Sequence, residues 1–242
     1  MARGSFTYGG NSIAYEICHT PERSGKIAIH VHPDASVQVD APEGEDEDRI
    51  YRAVLKRARW IISRVEQARC QRAHVLPRTY VSGESHFYLG KRYQLKVADS
   101  NGAGAQVRML RGRIFVETPA HDANAVKRAL GKWYRTRAEV VFERRLDAIA
   151  DRVSWLKDKP PVRLLSMRRQ WGSCSPNGTV ILNPHLVKAP RECVDYVITH
   201  ELCHLKEHNH SKRYYRLLRE IMPGWEPVKA RLDGMAEMIL NE

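Results

Sequence analysis

The segment His200-Glu201-Leu202-Cys203-His204 constrains this chain more than any other. Residues four apart on an α-helix lie on one face about one turn from each other. Two imidazoles at that spacing converge on a single cation at metal–nitrogen distances of about 2.0–2.1 Å. The spacing therefore predicts a helix with one face turned to a metal. Glu201 projects beside that face, where a carboxylate can accept a proton from a metal-bound water. Val194, Val197 and Ile198 make the upstream part apolar. The helix is thus expected to be central, and ionisable groups in its middle need a partner.

A third imidazole, His210, follows where this helix should end, beside Asn209 and Ser211. A chain reversal there returns it to the ion and gives a site of His200, His204 and His210 around one zinc per chain, with Glu201 as the proton acceptor. His208 is the rival ligand, but on a continuing helix it lies one turn too far from His200 to share a tetrahedral ion. The spacing of the three histidines coincides with the metzincin pattern HExxHxxGxxH. Glu207 stands where that pattern has its glycine, so the tight turn is not encoded and the metzincin assignment is set aside.

The rest of the chain reads as α+β. Strand alternation is expected within residues 12–42, including Lys26 to His32 and Ser36 to Val39, and again from Tyr80 to Thr118. Between them Ile50, Val54, Ala58, Ile61, Ile62 and Val65 recur at helical spacing behind the acidic segment Glu43 to Asp48, which suits a helix N-terminus. A long helix is expected from Asp122 to about Trp155, stopped by Pro160-Pro161. A hairpin then follows, from Arg163 to Leu182 through Pro176-Asn177-Gly178, with one helix from Pro190 to about Glu207 and another from Ser211 to Met222. The expected division is a β-rich region with one basic amphipathic helix over residues 1–120 and a metal-binding domain over 121–242.

At these residues the sequence resembles the YgjP-like metallopeptidase family. The resemblance is carried by Arg169-Gln170-Trp171-Gly172-Ser173-Cys174, Leu182-Asn183-Pro184, the run from Asp195 to Leu205, and Asn209-His210-Ser211. It extends to Val81-Ser82-Gly83-Glu84 and to Tyr88 through Tyr93. It implies a zincin-like domain with a β-rich N-terminal part, zinc held by the two motif histidines and the His of Asn-His-Ser, and Glu201 as the catalytic carboxylate. Peptide hydrolysis is the implied activity, by similarity to SprT-type proteases, with a zinc-dependent nucleotide phosphohydrolase as the alternative.

Within Trp171-Gly172-Ser173-Cys174, Trp171 reads as core, Gly172 as a close backbone approach and Cys174 as a small buried apolar residue. The functional reading places this strand beside the motif helix with its free edge holding an extended peptide. Cys174 lacks an independent base and is not expected to be a nucleophile, and Cys203 reads as packing. His30 and His32 share a strand face and form the one candidate for a second metal pair. Arg168, Arg169, Arg213, Tyr214 and His208 are candidates for binding a substrate anion, none of them singled out by the pattern.

Charge widens the range of partners. Forty Lys and Arg against 28 Asp and Glu give a net +12, which attracts anions such as nucleotides or nucleic acid. Arg49, Arg52, Lys56, Arg57, Arg59 and Arg64 crowd the polar face of the first helix. They read either as a solvated face or as a nucleic-acid footprint. A nucleic-acid-binding protein with a closed, structural zinc site is accordingly the third reading, beside peptidase and phosphohydrolase. Five scattered cysteines fit reduced thiols, and the N-terminus lacks a secretory apolar run, so a cytoplasmic location is expected. No apolar stretch approaches the roughly 20 residues of a membrane span, and the expected substrate is a peptide or protein.

Overall fold

A computed structural model describes residues 2–20, 27–32, 34–73, 78–102, 104–119, 122–167 and 170–240. The chain divides into two compact units, residues 1–76 and 77–242.

In the first unit, strands β1 (Ala2–Tyr8), β2 (Asn11–Thr20), β3 (Ala28–Val31) and β4 (Val37–Pro42) form a sheet of order β1-β2-β4-β3. β1 and β2 pair antiparallel around the turn Gly9-Gly10, where both residues have positive φ. Two helices follow, α1 (Glu47–Lys56) and α2 (Ala58–Ala73). Asp46 caps α1 by accepting from the amide of Asp48. Ile50, Val54, Ala58, Ile61 and Val65 pack with Phe6, Ile13, Tyr15, Ile17, Val37 and Val39 into the core of this unit. The single basic helix expected here is thus two, broken at Arg57, and β1 adds a strand that the sequence pattern did not announce.

The second unit begins with β5 (Ser85–Tyr88), β6 (Lys91–Asp99), β7 (Gln106–Leu110) and β8 (Arg113–Thr118), in the order β5-β6-β8-β7. The 28-residue helix α3 (Ala123–Ala150) is capped by Asp122. It presents Val126, Leu130, Tyr134, Ala138, Phe142, Leu146 and Ile149 to a core that also holds Leu95, Ile114 and Val116. The compact unit that holds this core begins at Pro77, ahead of the boundary expected after residue 120. Strands β7 and β8 pack on α3, and the apolar residues of β5 to β8 join the same core cluster as those of the histidine helix.

Strands β9 (Val162–Leu164), β10 (Gly172–Cys174) and β11 (Val180–Leu182) form a small sheet of order β10-β11-β9, with β10 at its edge. β10 and β11 are the expected antiparallel hairpin, and β9 runs parallel to β11. After a 3-10 turn over Pro184–Lys188 come α4 (Arg191–His204), α5 (Lys212–Ile221) and α6 (Trp225–Leu240), the last unforeseen. The architecture is α+β, as expected. No helix among the described residues is long and apolar enough to cross a membrane.

Candidate metal centre

Helix α4 runs through the core with Val194, Val197, Ile198, Leu202 and Cys203 buried. It is fixed to α3 by Arg145, whose guanidinium donates to both carboxylate oxygens of Asp195 at 2.6 and 2.7 Å. The helix ends at His204, three residues earlier than expected, and the chain turns. Glu207 holds that turn twice. Its carbonyl accepts from Nδ1 of His204 at 3.1 Å, and its carboxylate pairs with Arg213 at 3.0 Å. Ser211 then caps α5 through a bond from the amide of Tyr214.

The reversal brings His210 back to the helix. Nε2 of His200 lies 3.3 Å from Nε2 of His204 and 3.1 Å from Nε2 of His210. These three side chains form the only group of three potential ligands among the described residues whose donor atoms cluster. The arrangement fits a cation better than a hydrogen-bond network. One ring nitrogen cannot be properly bonded in its plane to two others at once, whereas tetrahedral sites with metal–nitrogen bonds of about 2.0–2.1 Å place their ligand nitrogens about 3.3–3.4 Å apart. The carbonyl on Nδ1 of His204 can only accept, so that nitrogen carries the proton and Nε2 offers a lone pair to the cluster.

Electrostatics agree with neutral rings. Burial first, and then the neighbouring His210 and His204, push His200 well below the ordinary imidazole value. His204 is lowered mainly by burial. Both are therefore unprotonated near neutrality and able to bind metal. Glu201, one residue along the helix, is buried and has its carboxyl raised to about 8 by that burial.

The Glu201 carboxylate lies against Gly172 of β10. A Cβ built on Gly172 would meet Oε1 of Glu201 at 2.7 Å and its Cγ at 2.8 Å. The close approach expected of this glycine is therefore an approach by the motif glutamate. Asn183, fully buried, donates from Nδ2 to the carbonyls of Met167 and Gln170 at 2.7 and 3.0 Å. Gly172→Ala should keep the fold at a cost of about 1–3 kcal/mol and displace Glu201, the flexible partner. Activity is expected to fall more than tenfold while metal content holds, read by assay and metal analysis together.

Tyr214, one of the five candidates for binding a substrate anion, is placed by the structure in the core beneath the imidazoles. Its side chain is fully buried, its hydroxyl donates to the carbonyl of His200 at 3.2 Å, and its ring packs on all three imidazoles at centroid distances of 5.4, 4.7 and 4.7 Å. It forms the floor beneath the histidines. Tyr214→Phe should cost about 1 kcal/mol and keep metal affinity. Tyr214→Ala should cost about 3–5 kcal/mol and weaken zinc binding, measured by thermal unfolding and chelator competition.

The other candidates fall outside the cluster. His208 is exposed, and Arg213 is committed to Glu207. Arg168 and Arg169 lie outside the described residues. His30 pairs with Asp40 at 3.2 Å and His32 with Gln38 at 3.2 Å, and no second group of three ligating side chains clusters among the described residues. The thiol of Cys174 is raised by burial and then by the charge of Glu201, which agrees with its non-nucleophilic reading. Burial pushes Cys203 up to about 12. Sequence reasoning missed an aromatic wall beside the site. The Tyr215 ring stacks on His210 at 6.1 Å and on Trp225 at 5.6 Å, and Trp225 stacks in turn on Tyr196.

The profile of the YgjP-like metallopeptidase domain matches residues 25–235. Among solved structures, the crystal structure of the metallopeptidase zymogen of Pyrococcus abyssi abylysin is similar over 39% of this chain and 90% of that chain, with 25% identity and a TM-score of 0.33. No curated protein matches the chain.

Proposed function

The chain belongs to the YgjP-like family of metallopeptidases, metal-dependent hydrolases. We propose from that membership that it is a zinc peptidase, with one ion held by His200, His204 and His210 and with Glu201 as its general base. The observation that carries this reading is the convergence of three imidazoles, with Nε2 of His200 lying 3.3 Å from that of His204 and 3.1 Å from that of His210, beside the buried carboxylate of Glu201 on the same helix as the first two.

The ion would supply Lewis acidity, lowering the pKa of a water and polarising the substrate carbonyl. Three protein ligands leave a fourth position open, which favours catalysis over a closed structural site. Glu201 removes a proton from the attacking water and, as the carboxylic acid, returns it to the leaving amine. Its burial serves both halves. A carboxyl of raised pKa holds a proton more readily than an exposed one, and the metal charge favours its ionised form before reaction. The free edge of β10 lies beside this carboxylate, and an extended peptide can add to it through backbone hydrogen bonds.

Zinc-loaded protein should cleave members of an unbiased peptide library and leave nucleoside triphosphates intact. Hydrolysis of triphosphates with no peptide cleavage would overturn the peptidase assignment in favour of the phosphohydrolase.

A further inference from the structure

We propose that the first unit binds single-stranded nucleic acid in a groove between the tip of the β1–β2 hairpin and the junction of α1 and α2. The groove encloses about 420 Å³ and is lined by Tyr8, Leu55, Lys56, Arg57, Arg59 and Trp60. It continues into a second concavity that shares Tyr8 and Arg59 and runs along α2 past Ile62 and Ser63.

Its lining is unusual in two ways. Trp60 is 42% exposed and Tyr8 43% exposed. Helix α2 turns Ala58, Ile61, Val65 and Ala68 to the core, so the indole of Trp60 is left outside it. Large aromatic rings exposed beside a concavity mark binding surfaces more often than scattered apolar residues do. The second feature is segregated charge. Residues 49–73 contain eight Lys and Arg and a single acid, Glu66. Arg49 is neutralised by Glu45 at 2.9 Å, and Arg52 bonds to the carbonyl of Asp48. Lys56, Arg57 and Arg59 make no ion pair or side-chain hydrogen bond among the described residues. Three cations this close in sequence repel one another, and an anionic ligand relieves the repulsion.

The mixture of rings and cations selects the ligand. A single strand alternates flat bases, which stack on indole and phenol, with phosphates, which pair with ammonium and guanidinium. An acidic peptide supplies only the second half of that match. A duplex keeps its base faces stacked and out of reach of Trp60.

The test is fluorescence anisotropy of labelled oligo(dT) and oligo(U) of roughly 15 nucleotides with the full-length, zinc-loaded protein, across a salt series of about 50–200 mM. Binding should weaken with salt at a log–log slope of about −0.7 per phosphate neutralised, and Lys56→Gln with Arg57→Gln should flatten that slope by about 1.4. Trp60→Ala should weaken binding on the order of tenfold. Trp60→Phe should keep most of the affinity. Zinc content should be the same in every variant. Three results would overturn the proposal: no binding at the lowest salt, equal loss in Trp60→Phe and Trp60→Ala, or duplex or polyglutamate of matched charge bound as tightly with no effect of Trp60→Ala. The last would make the face a general anion or acidic-protein surface.

Discussion

Glu201→Gln should give a folded, metal-loaded protein whose peptide hydrolysis is reduced by roughly 10² or more. The substitution keeps the shape that packs against Gly172 and removes only the ability to take a proton. It should also change how the metal-free protein responds to pH. Burial raises the Glu201 carboxyl from 4.5 to about 8, so the folded state without metal favours the acid form. The stability this group contributes is full below pH 4.5, where it is protonated in both states. It is lost as pH rises toward 8, at about 1.4 kcal/mol for each unit crossed. Denaturant titrations of the metal-free proteins at pH 5 and pH 8 should therefore show the wild type weakening more than Glu201→Gln. Parallel losses would show that the carboxyl is not held in an apolar setting. Full activity in the variant would remove Glu201 from the chemistry.

The histidine helix was legible because its chemistry and its period coincide in five residues. Its end was not. Nothing between His204 and His210 is a glycine or proline, and the stop is made by bonds of the turn itself, including the capture of Nδ1 of His204 by the carbonyl of Glu207. The break between α1 and α2 was hidden for a related reason. Ile50, Val54, Ala58, Ile61 and Val65 keep helical spacing across Arg57, where the backbone leaves the helix at φ −112° and ψ 11°. Strand β1 buries only Phe6 of its seven residues and owes its extension to pairing with β2. Alternation identifies a strand but not what covers it, and only the folded chain shows that α3 covers β8. The place of Tyr214 was not legible, since only the folded chain shows one ring meeting three imidazoles.

Single His200→Ala and His204→Ala variants should lose nearly all zinc, because each removes one of two ligands fixed on α4. His210→Ala should lose most of it as well, despite the exposure of that ring, since two imidazoles alone leave the ion half solvated. His208→Ala should retain a full complement, and this contrast separates the two imidazoles of the turn. Metal loss should be visible in stability as well as in composition. An ion present at about 100 times its dissociation constant stabilises the folded state by about 2.7 kcal/mol. For a chain of this size that corresponds to about 5–11 °C in the unfolding midpoint. Chelation should therefore lower the midpoint of the wild type and of His208→Ala, and leave those of the three ligand variants where they already are. Full zinc occupancy in a folded His210→Ala protein would remove His210 from the site. The turn held by Glu207 would then serve only to begin α5.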